Sequence, residues 1–255
     1  MLLVVDIGNT NITFGLYDED RLVSSYRLTT WFKRTSDEYG FMITHFLMAA
    51  DVKMQEIDDV IIASVVPKIM HSFTNSIRRY LKKEPIIVGP GMKSGIKIRY
   101  DNPKEVGADR IVDAVGAHFH YGGDILVIDF GTATTFEFIS KEGVYEGGCI
   151  LPGIEISAHS LSENTAKLPE IEIKATDKIK ATNTIQAMQT GIFWGYVGSV
   201  EYIINKFKKE LGKDLKVIAT GGLGRSISSH TSLIDIYDPN LTFEGLRLIY
   251  GLNHQ

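Results

Sequence analysis

Apolar residues fill positions 2 to 5 and give way at Asp6, after which Ile12, Phe14 and Leu16 alternate with smaller or polar residues up to an acidic turn around Asp18. A strand, a second alternating strand and a third beyond the turn make a β-meander. The pattern then changes to the helical period. Ser36 or Asp37 is placed to cap a helix through about Ala50, and a further helix is predicted over 68–81. VIIASVV at 60–66 reads as a buried strand and PIIVG at 85–89 as another short strand.

The same order returns in the second half. LLVVDIGNTNITFGLYDEDRL, from Leu2, lies without a gap over ILVIDFGTATTFEFISKEGVY, from Ile125, with Asp6 over Asp129 and Gly8 over Gly131. The second alternating strand there carries Thr134, Phe136 and Phe138. Asn183 is placed to cap a long helix to about Leu211, LKVIATGG at 215–222 is a strand entering a glycine turn, and 241–252 is an amphipathic helix. A meander followed by helix-strand-helix units, occurring twice, predicts two duplicated α/β domains with a cleft between them. The boundary is expected near residues 117–123, giving domains 1–117 and 118–255.

Composition narrows the function. The 255 residues, 44% hydrophobic and 23% charged, are those of an ordinary globular chain long enough for two cores. A formal net charge of −4 gives no overall attraction for nucleic acid or an anionic membrane. The basic run from Arg78 to Lys83 falls at a helix end, where cations complement the dipole. Cys149 is the only cysteine, which excludes an intrachain disulfide. No apolar run approaches the roughly 20 residues of a membrane span, and a cytoplasmic location is the expectation.

An Asp-x-Gly at a strand end is often only a turn. Its duplication points to chemistry: glycine lets a backbone approach a phosphate, nearby amides and hydroxyls donate to it, and the carboxylate can hold a metal ion. A Walker A loop and a G-x-G-x-x-G turn are both absent from the sequence. DIGNT, DFGTATT and the TGGLG turn at 220–224 remain as the nucleotide candidates. In YDNPKEVGADRIVDAVGAH at 100–118, helical spacing begins near Gly107, with Asp109 and Arg110 in the first turn. Asp109 there either complements the helix dipole or serves as a general base toward an alcohol attacking a phosphoryl group. Arg110 beside it is able to pair with a carboxylate or phosphate. The seven histidines show no ligand spacing. Gly191, Gly195 and Gly198 recur along one face of the long helix, smooth enough either for a subunit interface or for packing within the monomer.

These residues resemble the type III pantothenate kinases of the acetate and sugar kinase, Hsp70 and actin superfamily. The resemblance runs through DIGNT, YDNPKEVGADR, DFGTATT, GGCILPG at 147–153, ENTAKLP at 163–169 and TGG at 220–222. It implies duplicated ribonuclease H-like (actin-like ATPase) domains around an interdomain ATP cleft, and ATP-dependent phosphorylation of pantothenate, the first step of coenzyme A biosynthesis. By position, Asp6, Ile7, Gly8, Asn9, Thr10, Asn11, Ile12, Thr13 and Thr132 would surround ATP, with Asp6 holding Mg²⁺ directly or through water. Asp109 would be the general base, with Tyr100, Gly107, Ala108 and Arg110 around the substrate and Thr184 reaching it from the partner of a homodimer. Asp129 would bind K⁺ or NH₄⁺. Some members carry lysine where this chain has Thr13. A non-catalytic nucleotide-binding regulator and a sugar or short-chain acid kinase are the alternatives on the same scaffold.

Overall fold

The first meander is β1 (Leu2–Ile7), β2 (Asn11–Asp18) and β3 (Arg21–Thr29). It is followed by α1 (Ser36–Ala49), β4 (Asp59–Ser64), α2 (Pro67–Ser76), β5 (Ile86–Ile87), the two-residue strand β6 (Lys97–Ile98) and α3 (Ala108–Tyr121). The computed structural model describes residues 1–254. β1 to β5 form one sheet in the order β3-β2-β1-β4-β5, antiparallel in the meander and parallel across β1, β4 and β5.

The second meander is β7 (Ile125–Phe130), β8 (Ala133–Ile139) and β9 (Val144–Pro152), followed by α4 (Ile154–Glu163), α5 (Thr184–Leu211), β10 (Lys216–Thr220), α6 (Gly224–Ser228), β11 (Ile236–Tyr237) and α7 (Leu241–Asn253). Its strands run β11-β10-β7-β8-β9, so each takes the place of its counterpart in the first sheet.

Strand alternation divides each core. Leu3, Val5 and Ile7 pack with Ile12, Phe14 and Leu16 against α1 and α2 on one face of the first sheet. Leu2, Val4, Ile61 and Ala63 on the other face meet Val112 and Val115 of α3 and Phe243, Leu246 and Ile249 of α7. In the second unit, Leu126, Ile128, Phe136 and Phe138 meet Phe193, Val197 and Val200 of α5.

Several boundaries differ from expectation for local reasons. α1 is capped by Thr35, just before the expected Ser36 or Asp37, because Thr35 closes a capping box with Glu38. The helix predicted over 68–81 is α-helical only to Ser76; Ile77–Leu81 is a π turn, ended by Lys82 in the left-handed region at φ 59°. The cations at its end are paired, Arg78 with Glu84 and Arg79 with Asp37. Asn183 caps α5 as expected, accepting from the Gln186 amide at 2.9 Å, and Gly212 ends the helix at φ 62°.

The domain boundary differs more. One compact unit is Met1–His120 joined by the chain from Asn240 onward, and the other is Tyr121–Pro239. The last helix, expected in the second domain, belongs to the first, because its apolar face completes the core beneath β1 and β4. Burying Phe243, Leu246 and Ile249 contributes about 1.5–3 kcal/mol each. Thr242 adds a hydrogen bond to the buried Asp113 carboxylate of α3 at 2.7 Å.

The gapless alignment also slips in one strand. Ile7 pairs with Ile12, leaving residues 8–11 in the first turn, whereas Phe130 pairs with Thr134, leaving only 131–133. β8 therefore corresponds to β2 at an offset of 122 (Thr135 opposite Asp129, Thr13 opposite Asp6), while the offset for β7 and β9 remains 123. Thr132 is thus the counterpart of Thr10.

Candidate active site

Four of the candidate residues meet at one end of the first sheet. Asp6 follows Leu2 and Val4 on the face that α3 and α7 cover, beside Thr13 on β2 and Ala63 on β4. β4 leaves the sheet with the Val65 amide donating to the Ile7 carbonyl at 3.1 Å. A Cβ built on Gly107 would lie 3.5 Å from Val65 Cγ1 and 2.4 Å from Asp109 Oδ1. The start of α3 thus reaches the end of β4, with Ala108 and Ile111 packed on the Asp6 face and the Asp109 carboxylate above a residue that has no side chain.

Asp109 is held by its own helix. The Arg110 amide donates to Asp109 Oδ1 at 2.8 Å, and the Ile111 amide closes the first turn onto the Gly107 carbonyl at 3.2 Å. Burial pushes the Asp109 carboxyl above its ordinary range, against the opposing pull of the Arg110 amide and guanidinium. A carboxylate so placed is a stronger proton acceptor than a solvated one. The Arg110 guanidinium lies 6.0 Å from the centre of the Tyr100 ring, which gives it a cation–π partner.

In the turn after β1, Gly8 donates to the Asn11 carbonyl at 2.9 Å, and Asn9 and Thr10 are exposed. Ile7 and Ile12 are completely buried in the core, so of the predicted run they offer only backbone to a ligand.

The second unit brings another group together. Asp129, the penultimate residue of β7, stands beside Thr135 and Thr220. Gly221, at φ 88°, leaves room for it: a Cβ there would stand 2.5 Å from Asp129 Oδ1 and 2.6 Å from the Phe130 carbonyl oxygen. The Tyr237 hydroxyl donates to the Gly221 carbonyl at 3.0 Å. One carboxylate with a neighbouring carbonyl oxygen is a hard, sparsely charged donor set that suits a monovalent cation. Among the described residues, no three His, Cys, Asp or Glu side chains gather as a metal cage. Asp6 brings one carboxylate, which fits Mg²⁺ of the kind that also takes phosphate oxygens and water as ligands. Tyr196 of α5 is hydrogen-bonded to Thr134 Oγ1 in the core behind this turn.

Thr184 opens α5 and lines a wide surface hollow of about 780 Å³ with Leu161, Leu168, Ala181, Ala187 and Met188. Built Cβ atoms on Gly191, Gly195 and Gly198 would meet nothing within 4 Å. The glycine stripe is therefore open, and packing within the monomer does not account for it.

A family model described as type III pantothenate kinase matches residues 2–206. A type III pantothenate kinase of Agathobacter rectalis is 53% identical over 251 residues, covering 98% of this chain and 96% of that protein. One from Bifidobacterium longum is 50% identical over 254 residues, 99% of each. Among solved structures, a Sinorhizobium meliloti protein provisionally titled 2-dehydro-3-deoxygalactonokinase has a TM-score of 0.63 at 12% identity, covering 98% of this chain and 96% of that one. That likeness shows the fold, the duplicated ribonuclease H-like architecture of actin-like ATPases and sugar kinases.

Proposed function

The chain belongs to the type III pantothenate kinase family, and on that premise we propose how its residues divide the work of moving a phosphoryl group from ATP to pantothenate. Phosphorylation of pantothenate is the family's activity and the first step towards coenzyme A. Asp109 takes the proton from the primary hydroxyl of pantothenate as that oxygen bonds to the γ-phosphorus. The bond from the γ-phosphorus to the β,γ-bridging oxygen breaks, and its electron pair leaves on ADP. Arg110, steadied by Tyr100, holds the substrate carboxylate, with Gly107 and Ala108 forming the wall beside it.

Asp6 to Thr13 in the first unit and Thr132 in the second bind the phosphates. Asp6 is the residue to hold Mg²⁺, which supplies charge neutralisation on the phosphates. Asp129 and the Phe130 carbonyl are the groups to hold K⁺ or NH₄⁺. Thr13 offers a hydroxyl where a lysine would offer a charge, so the phosphates rely more on backbone and metal at this point. We further propose a homodimer through the open stripe of α5, with Thr184 serving the partner's substrate. No helix among the described residues is long and apolar enough to cross a membrane. A cytoplasmic location is proposed from the family's ATP-dependent activity.

The observation that carries this reading is that Asp6 and the first turn of α3, which bears Asp109, share one end and one face of the first sheet, with burial raising the basicity of Asp109. The test is an ADP-coupled assay on the purified protein with pantothenate, Mg²⁺ and K⁺. Turnover of pantothenate supports it. Turnover of a sugar or acetate with none of pantothenate, or ATP binding without any turnover, overturns it.

A further inference from the structure

Thr30 is the residue that follows β3, buried to 8% exposure and outside every motif of the sequence. Its hydroxyl donates to the Gly8 carbonyl at 2.7 Å and its amide to the Thr10 carbonyl at 2.9 Å. Both contacts fall on the turn between β1 and β2, on either side of Asn9. A trans peptide is planar, with C=O and N–H pointing in opposite directions. Anchoring the Gly8 carbonyl on a buried hydroxyl therefore aims the Asn9 N–H away from the core.

The second unit repeats the arrangement without the hydroxyl. The residue after β9 is Gly153, at the offset of 123 from Thr30 (153 − 30) that also separates β9 from β3. Its amide donates to the Thr132 carbonyl at 3.1 Å, the counterpart of Thr30 to Thr10. A Cβ on Gly153 would lie 2.7 Å from the Gly131 oxygen and 2.3 Å from that of Thr132. Here the carbonyl of Gly131, the counterpart of Gly8, rests directly against the backbone. The Thr132 N–H is aimed outward by the same logic. Two halves that differ in turn length and in side chain thus fix the same peptide, the one after Asp-x-Gly.

We propose that Thr30 is a positioning residue for the nucleotide, its hydroxyl setting the orientation of the Gly8–Asn9 peptide that receives a phosphate, and that the backbone of Gly153 does the same for the Gly131–Thr132 peptide. The inference rests on the reading of these turns as the phosphate sites. Thr30 touches no substrate; it acts through the turn.

The experiment compares Thr30→Val, which keeps the shape and removes the donor, with Thr30→Ser, which keeps the donor, and with wild type. KM for ATP and for pantothenate, kcat and thermal midpoint are measured for each. An unmatched buried carbonyl disturbs the turn enough that KM for ATP should rise about tenfold in Thr30→Val. KM for pantothenate should stay within about twofold, and Thr30→Ser should restore the ATP value. A lowered thermal midpoint with KM for ATP unchanged, a parallel change in both KM values, or a Ser variant as impaired as the Val variant would each overturn the proposal. Calorimetric titration of the same three proteins with Mg–ATP gives a second readout: if wild type fails to phosphorylate pantothenate, the functional reading is lost, while a weaker ATP affinity in Thr30→Val alone still upholds the role of Thr30. Gly153→Ala, with a methyl forced against two carbonyl oxygens, should weaken Mg–ATP binding likewise; undiminished binding there counts against the second half of the proposal.

Discussion

The Arg110 amide donates to Asp109 Oδ1 at 2.8 Å, so the carboxylate proposed as the base is folded back on the helix turn that carries it. One oxygen is committed to the backbone, and its direction is set before substrate arrives.

Asp109→Asn keeps that hydrogen bond and the volume but cannot take a proton. We expect kcat to fall by about 10²–10⁴-fold, with little change in thermal midpoint. Stopped assays at saturating ATP and pantothenate check it; a variant within a few-fold of wild type would remove Asp109 from the role.

The pH profile follows from burial. The base works only when ionised, and burial disfavours the ionised form, so the Asp109 pKa is raised. As pH falls through that raised value the base is protonated and the rate is lost. The acid limb of kcat against pH should therefore lie above the usual aspartate value of about 4. An acid limb at or below that value contradicts the assignment.

Gly221→Ala inserts a methyl where Asp129 Oδ1 and the Phe130 carbonyl oxygen now stand, in a backbone conformation that L-residues resist. The half-saturating K⁺ concentration should rise by about tenfold or more if the displaced group loses one cation contact, worth roughly 1.4 kcal/mol. Rate measured against KCl at constant ionic strength decides it.

Gly195→Leu separates monomer stability from assembly. A Cβ added at Gly195 meets nothing within 4 Å in the monomer. Leucine in a helix is favoured over glycine by about 0.8–1 kcal/mol. The folded monomer should be at least as stable, while light scattering should show the dimer dissociating; an intact dimer would exclude this stripe as the interface.

Thr242→Val removes a hydrogen bond from Asp113, whose side chain is 4% exposed. The cost should be about 1–3 kcal/mol in denaturant unfolding. A negligible change would mean that the remaining partners of Asp113 suffice.

The duplicated α/β plan was legible because each half states it in strand alternation and because Asp-x-Gly marks the same strand end twice. Asp109 was legible as the acid of a helix first turn two residues after Gly107, which makes room for it. What escaped the sequence were relations that depend on distance in the chain. The apolar stripe of α7 is the same whether it covers one sheet or the other, and only the opposing Leu2, Val4 and Ile61 decide its place. The shorter second turn left no trace in the gapless alignment, because threonines stand at both registers, Thr134 and Thr135. Thr30 carried one signal that could have found it: at the offset of 123 its partner is the last glycine of GGCILPG.

Because α7 returns to the first unit, residues 121–239 are an insertion within it. During synthesis the whole second unit emerges before Phe243, Leu246 and Ile249 exist to cover the α3 side of β1 and β4. The ledge bearing Asp109 is therefore the last part of the molecule to gain its backing. An enzyme built in this order does not seat the proposed base until both Asp-x-Gly turns have already been made.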